Sequence, residues 1–270
     1  MFKPNENLLK LSFAELNKYF VQLMDSLSLK YGYHTVFDDL LDCGINGLSF
    51  NYSESIMKAI QKKYNQDERY IFGEMIKIWI AIMNIKVDCD KSYYDFFGHQ
   101  YEQLAMSKKN GFAQYFTPEV ICTFMAQIVS INKDEVNQTV AEPACGSGRM
   151  NLALHANNHK LFHYANDLDY TCAKMTALNF AIHGVKGIVT CDDGLFPFSK
   201  FRGAFIINYR TAPFIEYISD AESLKYFFKY FMPKRTEILL NNDISEEIKQ
   251  SLDSSEIISL SQLGQQLSLF

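Results

Sequence analysis

The chain has 270 residues and a formal net charge of −5, and its composition is 48% hydrophobic and 14% aromatic. This apolar content is enough for a buried core and excludes an intrinsically disordered chain. The negative charge argues mildly against a dedicated DNA-binding surface, although a basic groove can lie on an acidic body.

The sequence gives no sign of membrane insertion or of a metal site. The most apolar candidate span, residues 71–87, is interrupted by Glu74 and Lys77, and the amino terminus lacks an apolar segment of signal-peptide length. The six cysteines have no CxxC spacing, and the six histidines form no ligand pattern. We therefore expect a cytoplasmic protein with reduced thiols, no membrane partner and no metal.

Residues 1–105 are predicted to form a helical N-terminal domain. Ser12 and Glu15 match the capping-box pattern of a helix start. Two sets of apolar residues recur at helical spacing, and we interpret both as core packing. They are Phe13, Leu16, Phe20, Leu23 and Leu27, and then Ile71, Met75, Ile78, Trp79 and Ile82.

From residue 106 to 263 the pattern changes to strands that alternate with helices. Thr117 is predicted as the N-cap of a helix with Pro118 at its first position, and Gly184 as the residue that ends a later helix. The predicted strands are 138–142, 162–167, 187–191, 203–208, 238–240 and 257–260, and the predicted helices are 148–157, 170–183 and 221–231. This alternation predicts an α/β fold with a doubly wound, mostly parallel sheet.

Polar and glycine residues follow four of these strands. Gly146 and Gly148 lie in EPACGSG after the first strand, and the absence of a Cβ lets their backbone approach a ligand closely. Asp167 ends the second strand, Asp192–Asp193 follow the third and Asn208 follows the fourth. Ligands of parallel sheets bind at the carboxyl ends of the strands, so we expect these residues at one edge. A single glycine loop or aspartate would be weak support, and the prediction depends on their recurrence.

Four segments resemble the N6-adenine DNA methyltransferases, especially the M subunits of type I restriction–modification systems. They are residues 94–105 (with Asp95, Gly98, Tyr101 and Glu102 in a D-x-x-G-x-x-YE pattern), 111–120 (GFAQYFTPEV), 142–148 (EPACGSG) and 173–184 (AKMTALNFAIHG). The resemblance implies a class I S-adenosylmethionine-dependent methyltransferase fold and S-adenosyl-L-methionine as cofactor. It also implies duplex DNA as the partner, with the target adenine flipped out of the helix.

The same resemblance assigns roles to the residues of the expected cofactor site. The loop Ala144–Gly148 would surround the methionine part of the cofactor. Asp167, or alternatively Asp169, would accept hydrogen bonds from its ribose hydroxyls. Asp193, or alternatively Asp192, would accept a hydrogen bond from the amino group of its adenine. The complete set implied for the cofactor is Tyr115, Thr117, Glu142, Pro143, Ala144, Gly146, Gly148, Asp167, Asp169, Asp192 and Asp193.

The catalytic motif departs from the family pattern. Where the family has NPPF or NPPY after its fourth strand, residues 204–217 read AFIINYRTAPFIEY. If the motif is aligned at the end of the fourth strand, Asn208 takes the place of the family asparagine that binds the target adenine. If it is aligned on the prolines and the phenylalanine, Thr211 takes that place, and Pro213 and the base-stacking Phe214 follow. Three interpretations stay open: a DNA adenine N6-methyltransferase with a variant loop, a protein that binds cofactor without methylating, or a sequence that has been altered at this motif.

Residues 264–270 form a C-terminal tail that ends in QLSLF. Gln266, Leu267, Ser268, Leu269 and Phe270 resemble the short peptide by which bacterial proteins dock on the replication sliding clamp. The alternative is that this segment packs on the protein's own sheet. The alternative function is accordingly a catalytically inactive cofactor- and DNA-binding module tethered to the clamp.

The chain is too short after the fourth strand for a sizeable target-recognition domain. Target choice would then come from the N-terminal domain, from loops, or from a partner such as a specificity subunit. Methylation of RNA or protein is a third possibility, because amino-methylating enzymes share these motifs.

Overall fold

The computed structural model describes residues 8–87, 92–107, 115–129, 138–210 and 214–231. After a 3-10 turn at Leu8–Lys10, these residues form the α-helices α1 (Phe13–Tyr31), α2 (Tyr33–Leu48), α3 (Glu54–Lys63), α4 (Gln66–Lys86), α5 (Phe96–Ser107), α6 (Glu119–Ile128), α7 (Arg149–Asn157), α8 (Tyr170–His183) and α9 (Ala221–Phe231). The strands are β1 (Thr139–Glu142), β2 (Phe162–Asp167), β3 (Lys186–Cys191), β4 (Gly203–Ile207) and β5 (Ile215–Ile218). The predicted strands at 238–240 and 257–260, the tail 264–270, and Thr211 and Pro213 lie outside the described residues.

The N-terminal region is helical, as predicted, and its first long helix begins where the sequence indicates. The Ser12 hydroxyl accepts the Glu15 backbone N–H at 3.4 Å, and the Glu15 carboxylate accepts the Ser12 backbone N–H at 2.9 Å, so the capping box is confirmed. The apolar faces of α1, α2 and α4 meet in the largest hydrophobic cluster. None of the helices in the described ranges is long and apolar enough to cross a membrane.

The sheet has five strands in the order β1-β2-β3-β4-β5. The pairs β1–β2 and β2–β3 are parallel, and the pairs β3–β4 and β4–β5 are antiparallel. Four strands therefore run in one direction, and β4 alone runs in the opposite direction. A doubly wound sheet would reverse its strand order at β1. The described strands instead follow the order of the sequence, with β1 at one edge.

Because β4 runs in the opposite direction, its carboxyl end does not lie with the carboxyl ends of β1, β2 and β3, where the polar residues are expected. Ile207 pairs with Gly187 at the start of β3, and Gly203 pairs with Cys191 at the end of β3. Asn208, directly after β4, consequently lies at the opposite edge from Asp167. The expectation that one edge holds all the polar strand ends is correct for β1, β2 and β3 and wrong for β4.

Helix α8 joins the helical region to the sheet, since it packs against α2 on one side and against β2 and β3 on the other. The buried Lys174 ammonium of α8 contacts the carboxylates of Asp38 and Asp42 in α2, at 2.6 and 2.9 Å. The helical region also contacts the outer side of β5, because the Asn51 side chain exchanges two hydrogen bonds with the Tyr217 backbone. One continuous core thus includes both parts.

Three histidines lie together where α7 meets β2. The rings of His155 and His159 are hydrogen-bonded at 3.1 Å, and the ring of His163 stacks edge-on to His155 at 5.9 Å. Burial lowers the pKa of His155 to about 4 and that of His163 to about 3, and the mutual repulsion of the rings adds to the effect. Both rings are therefore neutral in the folded protein at neutral pH.

We expect the stability to fall as the pH drops below the ordinary histidine pKa of 6.5. Below that pH, His155 and His163 bind protons in the unfolded chain but stay neutral in the folded chain. The free energy of unfolding is therefore at its maximum above pH ~6.5 and decreases toward pH ~5. Urea denaturation across this range measures the slope. His163→Gln should make it shallower, and His34→Gln, at an exposed position, should not change it. An unchanged slope in His163→Gln would contradict the assignment.

Candidate cofactor site

The carboxylate that ends β2 holds the glycine loop that follows β1. Asp167 Oδ2 accepts the Gly146 backbone N–H at 2.8 Å, and Asp167 Oδ1 accepts the Asp169 backbone N–H at 2.9 Å. A carboxylate oxygen has two acceptor positions, so each oxygen of Asp167 can accept one further hydrogen bond. This side chain therefore both shapes the loop and can receive two ligand hydroxyls. Asp169, the alternative, caps α8 by accepting the Thr171 backbone N–H at 2.8 Å.

The two glycines of the loop are required by conformation and by space. Gly146 has a φ of +56° and Gly148 a φ of +83°, which side-chain-bearing residues adopt at a cost. A Cβ at Gly146 would lie 2.8 Å from the Phe116 ring, and a Cβ at Gly148 would lie 2.9 Å from the Thr176 methyl group. The loop is therefore packed between Phe116–Pro118, called the FTP segment below, and α8.

The ends of the three parallel strands are tied together by Asn166. Its side-chain amide donates to the backbone carbonyls of Pro143 and Asp192, at 3.2 Å each, and its oxygen accepts the Thr190 hydroxyl at 2.7 Å. This amide fixes the spacing of the β1, β2 and β3 ends, and so the spacing of the groups that follow them.

The two aspartates after β3 have different roles. Asp192 is buried, and its carboxylate accepts the backbone N–H groups of Asp193, Phe198 and Lys200, which folds the loop toward β4. Asp193 lies nearer the surface and pairs with the Lys200 ammonium at 3.0 Å. Of the two, Asp193 is the one that a ligand can reach.

Exposed apolar side chains accompany the polar groups at this edge. Leu168 follows Asp167, and Leu195 and Phe196 follow Asp193, and all three are more than half exposed. Apolar surfaces beside hydrogen-bonding groups are typical of sites that bind a flat heterocycle.

A buried carboxylate fixes the loop from behind. Asp95 is fully buried, and its Oδ2 accepts the Ser147 hydroxyl at 2.5 Å and the Nε–H of Arg149 at 2.8 Å. Its Oδ1 accepts the Gly98 backbone N–H at 2.9 Å and the Asn179 amide at 2.8 Å. The negative charge is thus paired with a cation and with three further donors, which makes its burial tolerable.

Arg149 extends this network to the FTP segment. Its guanidinium donates to the Thr117 carbonyl at 3.1 Å and to the Glu102 carboxylate at 3.1 Å, and Glu102 in turn accepts the Phe116 backbone N–H at 3.2 Å. Gly98 is required here, since a Cβ at that position would collide with the Asp95 carboxylate. The D-x-x-G-x-x-YE residues therefore hold the FTP segment against the glycine loop.

The start of α6 differs by one residue from the prediction. The helix begins at Glu119, and Pro118, with φ −55° and ψ 142°, occupies the N-cap position expected for Thr117. The reason is that the Thr117 carbonyl is bound by Arg149, which keeps this residue in the preceding segment. Tyr115 and Thr117 are exposed beside the glycine loop.

The strand-end edge is acidic and partly desolvated. Burial raises the pKa of Glu142 and of Asp167, and negative neighbours add to the effect, because Asp167 acts on Glu142 and Asp169 acts on Asp167. A cationic ligand would relieve this repulsion. In the part of the chain that the structure describes, no group of three or more His, Cys, Asp or Glu is arranged to hold a metal.

The predicted catalytic amide has a different environment. Asn208, with a φ of +51°, donates its amide to the carbonyls of Phe180, Ala181 and Val185, at 3.1, 3.4 and 3.0 Å. These carbonyls belong to the end of α8 and the residues after it. Phe214 is half exposed at the start of β5, and its carbonyl accepts the Asn208 backbone N–H at 2.9 Å. Both residues lie at the edge opposite to Asp167, and neither faces the candidate cofactor site.

Residues 92–195 match the family model described as N-6 DNA Methylase. This segment, called the methylase segment below, is similar to the N-6 DNA methylases. The predicted resemblance to the N6-adenine DNA methyltransferase family is thereby confirmed, and the closer likeness to type I M subunits stays a prediction. The comparisons with curated proteins and with solved structures found no match. The methylase segment contains Asp95, Gly146, Asp167 and Asp193, and it ends before Asn208.

The residues that hold the glycine loop in place are not apparent from the sequence. Ser147, Arg149 and Asn179 are the side-chain donors to Asp95, and Thr176 donates its hydroxyl to the Gly146 carbonyl at 2.9 Å. The sequence contains one sign of this support. Arg149 follows the glycine loop directly, at the start of α7, whose other residues are suited to burial.

Replacement of Asp95 by alanine should destabilise the protein strongly. It leaves the Arg149 charge buried with one partner fewer, and breaking a buried ion pair costs about 3–5 kcal/mol of unfolding free energy. Urea denaturation measures the loss. The matched control is Glu54→Ala, which removes an exposed pair with Lys58 and should cost less than about 1 kcal/mol. Equal losses in the two variants would contradict the role given to Asp95.

Replacement of Asn208 should affect stability and leave cofactor binding unchanged. Asn208→Gly keeps the positive φ and removes the three donated hydrogen bonds, which should cost about 1–3 kcal/mol of unfolding free energy. Asn208→Asp should cost more, because a carboxylate is repelled by carbonyls at a helix end. Thermal unfolding gives this order. A variant of normal stability with weakened cofactor binding would contradict this assignment.

Proposed function

We propose that this chain binds S-adenosyl-L-methionine at the carboxyl edge of β1, β2 and β3, and that it functions in the methylation of adenine N6 in DNA. The observation that supports this best is the hydrogen bond from the Gly146 N–H to Asp167 Oδ2, at 2.8 Å. It joins the glycine loop and the β2-end carboxylate, two elements that the family resemblance assigns to the cofactor, in one rigid unit.

The chemistry of the donors and acceptors fits this cofactor. Asp167 has acceptor positions left for two ribose hydroxyls, and Asp193 can accept an amino group. Glu142 and Asp167 together favour a cation, which suits the sulfonium and the ammonium of the cofactor. Leu168 and Leu195 offer exposed apolar surface for the adenine ring. When bound, the cofactor supplies a methyl group activated by its sulfonium.

The methylase segment supports DNA as the substrate class. We propose adenine as the base, on the resemblance to the N6-adenine enzymes. Docking on a sliding clamp through residues 266–270, a specificity subunit and a restriction–modification context stay predictions. No contact of the described residues bears on them.

A second candidate function is cofactor binding without methyl transfer by this chain alone. The place of Asn208 favours it, since this amide caps α8 at the opposite edge and cannot polarise an adenine near Asp167. In that case the groups that receive the target base would come from another part of the chain or from a partner.

Calorimetric titration with S-adenosylmethionine tests the first part of the proposal. Asp167→Ala should weaken binding at least ~10-fold, because it removes the ribose acceptor and releases the loop. Asp67→Ala, at an exposed position of α4, should bind as the unmodified protein does. No binding by the unmodified protein would overturn the proposal.

Transfer of labelled methyl groups to adenine-rich duplex DNA separates the two candidates. Transfer by the purified chain supports the methyltransferase. Cofactor binding without transfer, to DNA or to RNA, supports the second candidate.

A further inference from the structure

Helix α6 has its large apolar side chains on the outside. Val120, Phe124 and Ile128 are 78%, 58% and 64% exposed, and Ile121 and Met125 are each more than two fifths exposed. At 100° per residue these five positions cover one continuous half of the helix. A surface helix normally has this pattern reversed, with the apolar face inside.

The opposite face of α6 explains how the helix is held. Cys122 and Ala126 are buried against α7 in a small cluster with Leu154. Thr123 is hydrogen-bonded to the Tyr93 hydroxyl at 2.8 Å. The small side chains permit close packing on α7. That side of the helix is therefore fully packed, and among the described residues no hydrophobic core takes up the large side chains.

The exposed face of α6 has no charge. Glu119 is the one charged residue of α6. Its carboxylate is hydrogen-bonded to the His99 ring at 3.0 Å, on the packed side of the helix. With no lysine or arginine, this face has none of the groups that bind nucleic acid phosphates or anionic membranes. A complementary surface must be apolar as well.

The size of the patch matches a protein interface. With the adjoining Val129, 56% exposed, the six side chains offer on the order of 700 Å² of accessible surface, near the ~800 Å² that each partner contributes to a standard interface. The spacing is also nearly symmetric, because Val120 and Ile128 lie four residues to either side of Phe124. An antiparallel copy would place the Val120 of one chain against the Ile128 of the other.

We propose that α6 is the two-fold interface of a homodimer, with Phe124 and Met125 at its centre. The helix follows the FTP segment, whose Thr117 carbonyl is bound by Arg149 behind the glycine loop. The dimer would therefore bring the two copies of that edge close to the two-fold axis. This inference depends on the exposed helix alone and does not require the proposed function.

Sedimentation velocity of the full chain over a range of concentrations tests the dimer. The unmodified protein should dimerise, and Phe124→Glu should weaken self-association roughly 100-fold, because it places a charge at the centre of an apolar contact. Leu29→Glu is the matched control, since Leu29 is 91% exposed on α1, which packs on α2 and α4, whereas α6 packs on α7. It should leave the dimer intact.

Disulfide capture tests the arrangement. Met125→Cys should cross-link to its copy under mild oxidation, and Leu29→Cys should not exceed the unmodified chain. A monomer at all concentrations would overturn the proposal, and would leave the α6 face to a different apolar protein or to a segment of this chain outside the described residues. A dimer that persists in Phe124→Glu would overturn it too, as would a failure of Met125→Cys to cross-link in a dimeric sample.

Discussion

The buried carboxylate of Asp95 is the constraint on which the rest of the site depends. A fully buried charge is costly unless it is paired and hydrogen-bonded, so its partners must occupy definite positions. Those partners, Ser147, Arg149 and Asn179, come from the glycine loop, α7 and α8. The network therefore holds the glycine loop in one geometry. Arg149 also binds the Thr117 carbonyl and so connects the network to the FTP segment.

The direction of β4 separates two parts that the family resemblance joins. The groups proposed to bind the cofactor end the parallel strands, while Asn208 follows a strand that runs the other way. An asparagine amide can accept hydrogen bonds from an adenine or donate them to helix carbonyls, and here it donates to three. The matched methylase segment ends at residue 195, before this motif. Cofactor binding and base recognition are therefore separate questions in this protein.

Helix α6 connects the site with the surface. Its first turn lies beside the FTP segment, its small residues pack on α7, and its large apolar residues face outward. A partner bound to the outer face of α6 would contact a helix that begins only two residues after Thr117. An effect of association on the loop geometry would follow from this position, since Thr117 and the loop share Arg149.

The sequence by itself determined the local features, because each depends on neighbouring residues only: the capping box at Ser12, the bounds of β2 and α8, and the glycines of the loop. The tertiary structure alone decided which strand pairs with β4. All five β4 residues are buried, so their apolar pattern is the same for either direction. Likewise, the role of Arg149 depends on Asp95, which is 54 positions away, so neither local sequence pattern indicates that these two side chains pair.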